Sequence, residues 1–216
     1  MTAGTGRSDF RTEIAGANLR GLGLSGSATA TSVDCISYHA KVRFNDASVD
    51  VVKANAGVDS YPFNSDTSSI VQYLEHGIGL GTGGKITKIY LQSGFDALAS
   101  DYANQVIKMG HTTLNQLTVT YADNMDDATI VSSGNYSIPV GLKEGDWIEI
   151  PLQTPFVYDA SKNLVIEIAN DGKSANNGII LYASSHMKRA YSIDRTAETA
   201  VGTYLYGANL RLEIEK

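Results

Sequence analysis

The chain has 216 residues, of which 43 % are hydrophobic and only 19 % charged, with 21 glycines and 12 tyrosines. That balance is closer to extracellular β-proteins than to cytosolic helical enzymes. A formal net charge of −6 without any stripe of Lys and Arg excludes a nucleic-acid partner, because phosphate binding needs clustered cations that release counterions. Cys35 is the single cysteine, which excludes an intrachain disulfide and a cysteine-rich zinc site. No run approaches the ~20 apolar residues that span a bilayer.

Residues 1–32 are rich in Gly, Ala, Ser and Thr, with apolar side chains thinly spaced at Phe10, Ile14, Leu19, Leu22 and Leu24. Such a segment is expected to be an extended N-terminal arm that becomes ordered by docking, and those five residues are its expected assembly contact. Met1 to Phe10 shows no apolar h-region, so the expected way out of the cell is a removed leader or a route such as phage-driven lysis. Residues 33–216 are expected to form one all-β domain.

From Cys35 to Phe44, Ile36, Tyr38, Ala40, Val42 and Phe44 alternate with Ser37, His39, Lys41 and Arg43, the period-2 pattern of a strand with one apolar face. Asn45-Asp46 predicts a turn and Val49 to Lys53 the returning strand of a hairpin. Ser69 to Leu74 predicts a further short strand. Gly79, Gly81 and Gly84 fit G-x-G-x-x-G, but the chain continues as Lys85-Ile-Thr-Lys-Ile-Tyr-Leu. That stretch reads as a strand, whereas a phosphate cradle needs a helix N-terminus. The glycines are therefore read as a turn.

Gly94 to Ala103 is expected to be a loop or one short helical turn, and Gln105 to Met109 a strand. Leu117, Val119 and Tyr121 alternate as a strand would. Asp123, Asp126 and Asp127 lie in an acidic loop too irregular for an EF-hand, a weak calcium candidate beside the reading as a solvated loop. Ile138, Val140 and Leu142 predict the strand that leads into Trp147 to Leu152, which should leave the sheet at Pro155. Trp147 is expected in the core. Leu164, Ile166 and Ile168 alternate with Val165 and Glu167, so Glu149 and Glu167 should point outward together.

Ile179 to Tyr182 predicts a buried strand. Ser184 to Thr199, with Lys188, Arg189 and Arg195, reads as a surface loop holding a small strand around Tyr191 and Ile193. Tyr204, Tyr206, Leu210, Leu212 and Ile214 close the sheet. Roughly ten to twelve short strands and no convincing helix define an all-β class.

The residues from about Ser69 to Glu215 resemble a known family. Gly84-Lys-Ile-Thr-Lys-Ile89, Asn104 to Thr112, Gly145-Asp-Trp-Ile148, Pro155-Phe-Val-Tyr158 and Asn163-Leu-Val-Ile-Glu167 look like the jelly-roll-type β-sandwich module recurrent in large secreted and surface proteins of Bacteroidetes and related bacteria. The resemblance implies an antiparallel jelly-roll-like sandwich and an accessory or binding role. It carries over no catalytic residue.

His39, His76, His111 and His186 lie far apart, and no G-x-S-x-G elbow is present, so no enzyme activity and no cofactor are expected. Tyrosines near loops and strand ends are candidate contacts for a glycan or partner, chiefly Tyr61, Tyr102, Tyr136 and Tyr204. The expected function is a structural subunit of an extracellular assembly, a virion protein such as a head-decoration, fibre or tail component. It would form a homo-oligomer or bind virion neighbours through its arm. The alternatives are a carbohydrate-binding module of a bacterial surface protein and a subunit of a surface filament.

Overall fold

A computed structural model describes residues 38–42, 49–53, 57–59, 61–76, 83–96, 99–174, 179–184 and 187–215. The arm contact at Phe10, Ile14, Leu19, Leu22 and Leu24 lies outside the described residues, as do Cys35 and His186. Within them the chain is all-β. The strands are β1 (Tyr38–Val42), β2 (Val49–Lys53), β3 (Gly57–Asp59), β4 (Ser69–Glu75), β5 (Gly84–Gln92), β6 (Ser100–Thr112) and β7 (Thr129–Ile138). They continue as β8 (Trp147–Tyr158), β9 (Asn163–Asn170), β10 (Leu181–Ser184), β11 (Met187–Ser192), β12 (Gly202–Tyr204), β13 (Gly207–Ala208) and β14 (Leu210–Glu215). One 3₁₀ turn, Tyr121–Asn124, interrupts them.

Every pairing among these strands is antiparallel, in sheets of order β1-β2-β14-β5-β8, β13-β10-β3 and β12-β11-β4-β9-β6-β7. The main core lies between the five- and six-stranded sheets. Ile86, Ile89, Leu91, Ile148, Ile150, Leu212 and Ile214 come from one, and Val71, Tyr73, Ile107, Met109, Leu164, Ile166 and Ile168 from the other. Each full burial of such a side chain stabilises the fold by ~1.5–3 kcal/mol. Alternation therefore places β4, β5, β9 and β14 as expected from sequence, because one face of each meets this core.

Several expectations change. β6 begins at Ser100, inside the stretch read as a loop, because Tyr102 buries its ring there and donates a hydrogen bond to the Phe63 carbonyl at 2.7 Å. β7 occupies Thr129–Ile138, while Val140 is 81 % exposed beyond the strand's end. β7 borders the sheet and exposes most of its side chains, so its sequence lacks an apolar rhythm. Leu117 to Tyr121 gives one isolated bridge, Thr120 to Thr199, and then the 3₁₀ turn rather than a strand. Trp147 is half-buried at the start of β8 on the face opposite Ile148, so the core is built around tyrosines and Phe63 instead.

β8 also runs on through Pro155 to Tyr158. It borders its sheet, where proline is tolerated, and the register jumps so that Leu152 to Pro155 bulge out between the Lys88–Pro151 and Ile86–Phe156 pairs. The bulge re-aims Gln153. Its Nε2 donates to the Ser133 carbonyl at 2.7 Å, and its Oε1 accepts from the Ser133 N–H at 3.2 Å. Tyr136 adds a hydrogen bond from its hydroxyl to the Glu149 carbonyl at 2.8 Å. These bonds stitch β7 to β8 and so join the two large sheets along one flank.

Gly207 lets β13 close over the Tyr73 ring: a Cβ built there would lie 2.8 Å from that ring. Gly207→Val should therefore cost ~1–3 kcal/mol, the range for overpacking a closed site. Urea denaturation of the two proteins measures it.

Candidate functional site

Two observations from the chain converge at the open end of the sandwich. Arg189 and Tyr191 are two apart on β11 and share its inner face, opposite Tyr73 and Val71 of β4. Asp59 ends β3, in the small three-stranded sheet. Arg189 is 5 % exposed and its guanidinium pairs with the Asp59 carboxylate, which is itself buried. The sequence reading of Arg189 as a surface-loop cation is corrected accordingly. A buried guanidinium must be neutralised and hydrogen-bonded, since desolvation costs several kcal/mol per ion.

The carboxylate is held from two further directions. Oδ1 accepts from the Tyr61 N–H at 3.0 Å, and Oδ2 accepts from the Tyr73 hydroxyl at 3.3 Å. Tyr73 reaches the Tyr61 carbonyl as well, at 2.5 Å. Burial raises the Asp59 pKa above its ordinary value, partly offset by the Arg189 charge and these hydrogen bonds. The Tyr73 hydroxyl is pushed up by the same burial.

Four more tyrosine rings surround the guanidinium. Its central carbon lies 4.7 Å from the ring centre of Tyr204, 4.8 Å from Tyr191, 5.1 Å from Tyr206 and 5.7 Å from Tyr61. All fall within the ~6 Å reach of a cation–π attraction. The rings also pack on one another: Tyr61 stacks on Tyr191 at 4.3 Å, Tyr191 tilts to Tyr204 at 5.7 Å, and Tyr204 meets Tyr206 edge-on at 5.6 Å. A hydrogen bond with Tyr204, then burial, raises the Tyr191 hydroxyl. The outer side of this box is the border strand β12 and the residues flanking it, where Val201, Leu205, Tyr206 and Tyr204 are 70, 63, 39 and 36 % exposed.

Of the tyrosines singled out from sequence, Tyr61 and Tyr204 meet in this box. Tyr102 and Tyr136 do not. Tyr102 is fully buried against Phe63, and Tyr136 lies at the β7–β8 seam. Tyr191 and Tyr206 join the box. The sequence cue to the rings is the i, i+2 spacing of Arg189/Tyr191, which share one face of β11, and of Tyr204/Tyr206 at the end of β12; the burial of Arg189 has no such cue.

His111 is the second candidate centre. Its Nε2 accepts the Asp159 N–H at 2.9 Å, which places the ring proton on Nδ1, directed at Asp127 Oδ2 at 2.7 Å. Asp127 Oδ1 accepts the His111 backbone N–H at 2.6 Å. The ring packs between Phe156 and Tyr158. An imidazole whose second nitrogen is occupied by a backbone donor is a clasp, with no free atom for a substrate proton. This clasp also accounts for both oxygens of Asp127, while Asp123 and Asp126 are exposed. Among the described residues no three His, Cys, Asp or Glu side chains converge as a metal site would require.

Glu149 and Glu167 sit on different sheets and face different surroundings. Glu149 is exposed beside Lys88 at 3.4 Å. Glu167 is 4 % exposed and pairs with Lys108 at 2.7 Å, which corrects the expectation that both point outward together. Compared with protein-family models, with curated proteins and with solved structures, the chain matches none.

Removing one partner of the buried pair leaves the other charge stranded. Asp59→Ala should destabilise the protein by ~3–5 kcal/mol, and Asp59→Leu combined with Arg189→Met by distinctly less; a double-mutant cycle in chemical denaturation checks this. At Asp127, burial raises the carboxyl, but the hydrogen bonds from the His111 ring and N–H outweigh it, so the folded value lies below 3.8. Its contribution is therefore present above pH 3.8 and lost as pH falls through the lower folded value. Melting temperature recorded against pH should fall less steeply below 3.8 for Asp127→Asn than for the parent chain.

Proposed function

We propose that the chain is a non-enzymatic structural subunit of an extracellular assembly, a virion component of the head-decoration, fibre or tail kind, and that it meets another copy of itself along the tyrosine box. The observation that carries this reading is the exposed run Val201, Tyr204, Leu205 and Tyr206, on and immediately flanking β12, which borders the six-stranded sheet among the described residues. A bare strand edge offers unpaired N–H and C=O groups to another chain. Tyrosines give an interface large, rigid anchors at small entropic cost, and such anchors dominate binding energy. Here each ring is already held by Arg189 or by a neighbouring ring, so little freedom is left to lose on contact.

The arm with Phe10, Ile14, Leu19, Leu22 and Leu24 belongs to the same proposal as a second contact reaching the neighbour. The resemblance to secreted jelly-roll modules supports an extracellular location and an accessory role. The closed His111 clasp supports the non-enzymatic part of the reading. A second reading, a carbohydrate-binding module, draws on the same exposure of Tyr204 and Tyr206, because a tyrosine face also suits the C–H face of a sugar ring.

One pair of variants separates the two. Sedimentation velocity of the full chain should show association that rises with concentration and is weakened roughly tenfold in Tyr204→Ala/Tyr206→Ala, in a variant whose cooperative unfolding verifies that it is still folded. A parent chain that stays monomeric and gives glycan-array hits lost in the same variant would replace the assembly reading with the carbohydrate one. Deleting residues 1–30 should weaken association further; association that survives both changes overturns the proposal.

A further inference from the structure

The outer face of the six-stranded sheet carries a feature that a solvated face does not need. Gln72, Glu167 and Lys108 are register partners on β4, β9 and β6, and they form one polar row between apolar rows. Glu167 Oε1 meets Lys108 Nζ at 2.7 Å, and Oε2 accepts from Gln72 Nε2 at 2.8 Å. The segment around the 3₁₀ turn roofs this row: Gln72 Nε2 also donates to the Tyr121 carbonyl at 3.1 Å, and Asn124 Nδ2 donates to Gln72 Oε1 at 2.8 Å. Ile70, Leu74, Leu117, Tyr121, Val165 and Ala169 complete a small second core beneath the roof.

The roof is split. Between residues 120–128 and the loop 195–198 lies a cleft of about 590 Å³, within the ~300–1,000 Å³ range of small-ligand sites. Lys108 reaches it with its side chain 37 % exposed, and Glu167 is its one ion-pair partner among the described residues. An ammonium has three donors, so donors remain for an occupant. Among the lining residues Glu167 and Glu198 equal Lys108 and Arg195 in number, Lys108 being paired with Glu167 and Arg195 with Asp171 outside the lining at 2.5 Å, so each cation is already opposed. Ile70, Ala122, Met125 and Ala197 supply apolar wall.

We propose that this cleft binds a neutral saccharide or comparable polyol. An anion brought into it would face Glu167 and Glu198, and a cation would face Lys108 and Arg195. A hydroxyl group both donates and accepts, so a polyhydroxylated ligand can satisfy donors and acceptors together. The apolar wall suits the C–H face of a sugar ring. The site shares no residue with the tyrosine box, and the inference stands whether or not that box binds a second copy.

The test uses the full chain with maltose, lactose and N-acetylglucosamine as neutral probes, and glucuronate and choline as anionic and cationic ones, read by saturation-transfer and chemical-shift NMR. Ala122 is exposed on the cleft wall, so Ala122→Trp fills the space without disturbing the polar row; its melting curve verifies the fold. The expected result is saturable binding of at least one neutral sugar, weakened roughly tenfold or more in Ala122→Trp and unchanged in Tyr204→Ala. Lys108→Gln, which keeps a donor but removes the charge, should weaken the same sugar less than Ala122→Trp does. Absence of neutral-sugar binding, a preference for the charged probes, retention of binding in Ala122→Trp or loss in Tyr204→Ala would each overturn the proposal.

Discussion

A guanidinium placed inside a sandwich has to be answered, and the arrangement of one end of this molecule depends on how Arg189 is answered. Asp59 comes from the small sheet and Arg189 from the large one, so their ion pair ties sheets that share no strand. The hydroxyl of Tyr73 and the N–H of Tyr61 complete the carboxylate's coordination. With the charge paired through Nη1, the rest of the guanidinium, including a buried Nε without a hydrogen-bond partner, is planar and electron-poor, and aromatic faces are its natural cover. Four tyrosines supply it, and their packing around one fixed cation defines the border at β12.

The centre of the six-stranded sheet is covered on both sides, which explains its unusual central strands. β4 is buried at every position, and β9 at all but its first. The inner face meets the main core, and the outer face meets the roof formed by the 3₁₀ turn and the loop before β12. Polar side chains are admitted there only as a satisfied row. Gln72 uses its amide oxygen and nitrogen on both the roof and Glu167, consistent with the cost of leaving buried polar atoms unmatched. Gly110 fits the same roof, since a Cβ built there would lie 3.0 Å from the Met125 side chain.

Strand alternation was legible wherever one face alone meets the core, as in β5 and β14, and wherever β-branched residues run together, as in Leu164 to Ile168. It failed at the borders. β7 presents Ser132, Ser133 and Gly134, which carry no apolar alternation, yet they pair with Ile107, Val106 and Gln105 of β6 between two irregularities. Pro155 reads as a stop but sits in a bulge of a border strand. The candidate site was half legible. Tyrosine near strand ends was a usable cue for Tyr61 and Tyr204, but composition around residues 184–199 is polar, and nothing local distinguishes the buried Arg189 from the partly exposed Arg195. Only the distant Asp59 makes the difference, and a partner 130 positions away leaves no periodic trace.

The bulge that sends Gln153 across to Ser133 gives the six-stranded sheet two unlike flanks. One is fastened shut by reciprocal amide bonds, and the other ends in three residues with their backbone facing outward. Among the described residues the sheet therefore has polarity in the sense that a growing crystal face does: a side chain from the opposite sheet occupies the Ser133 step of one rim, and no strand is paired along the other.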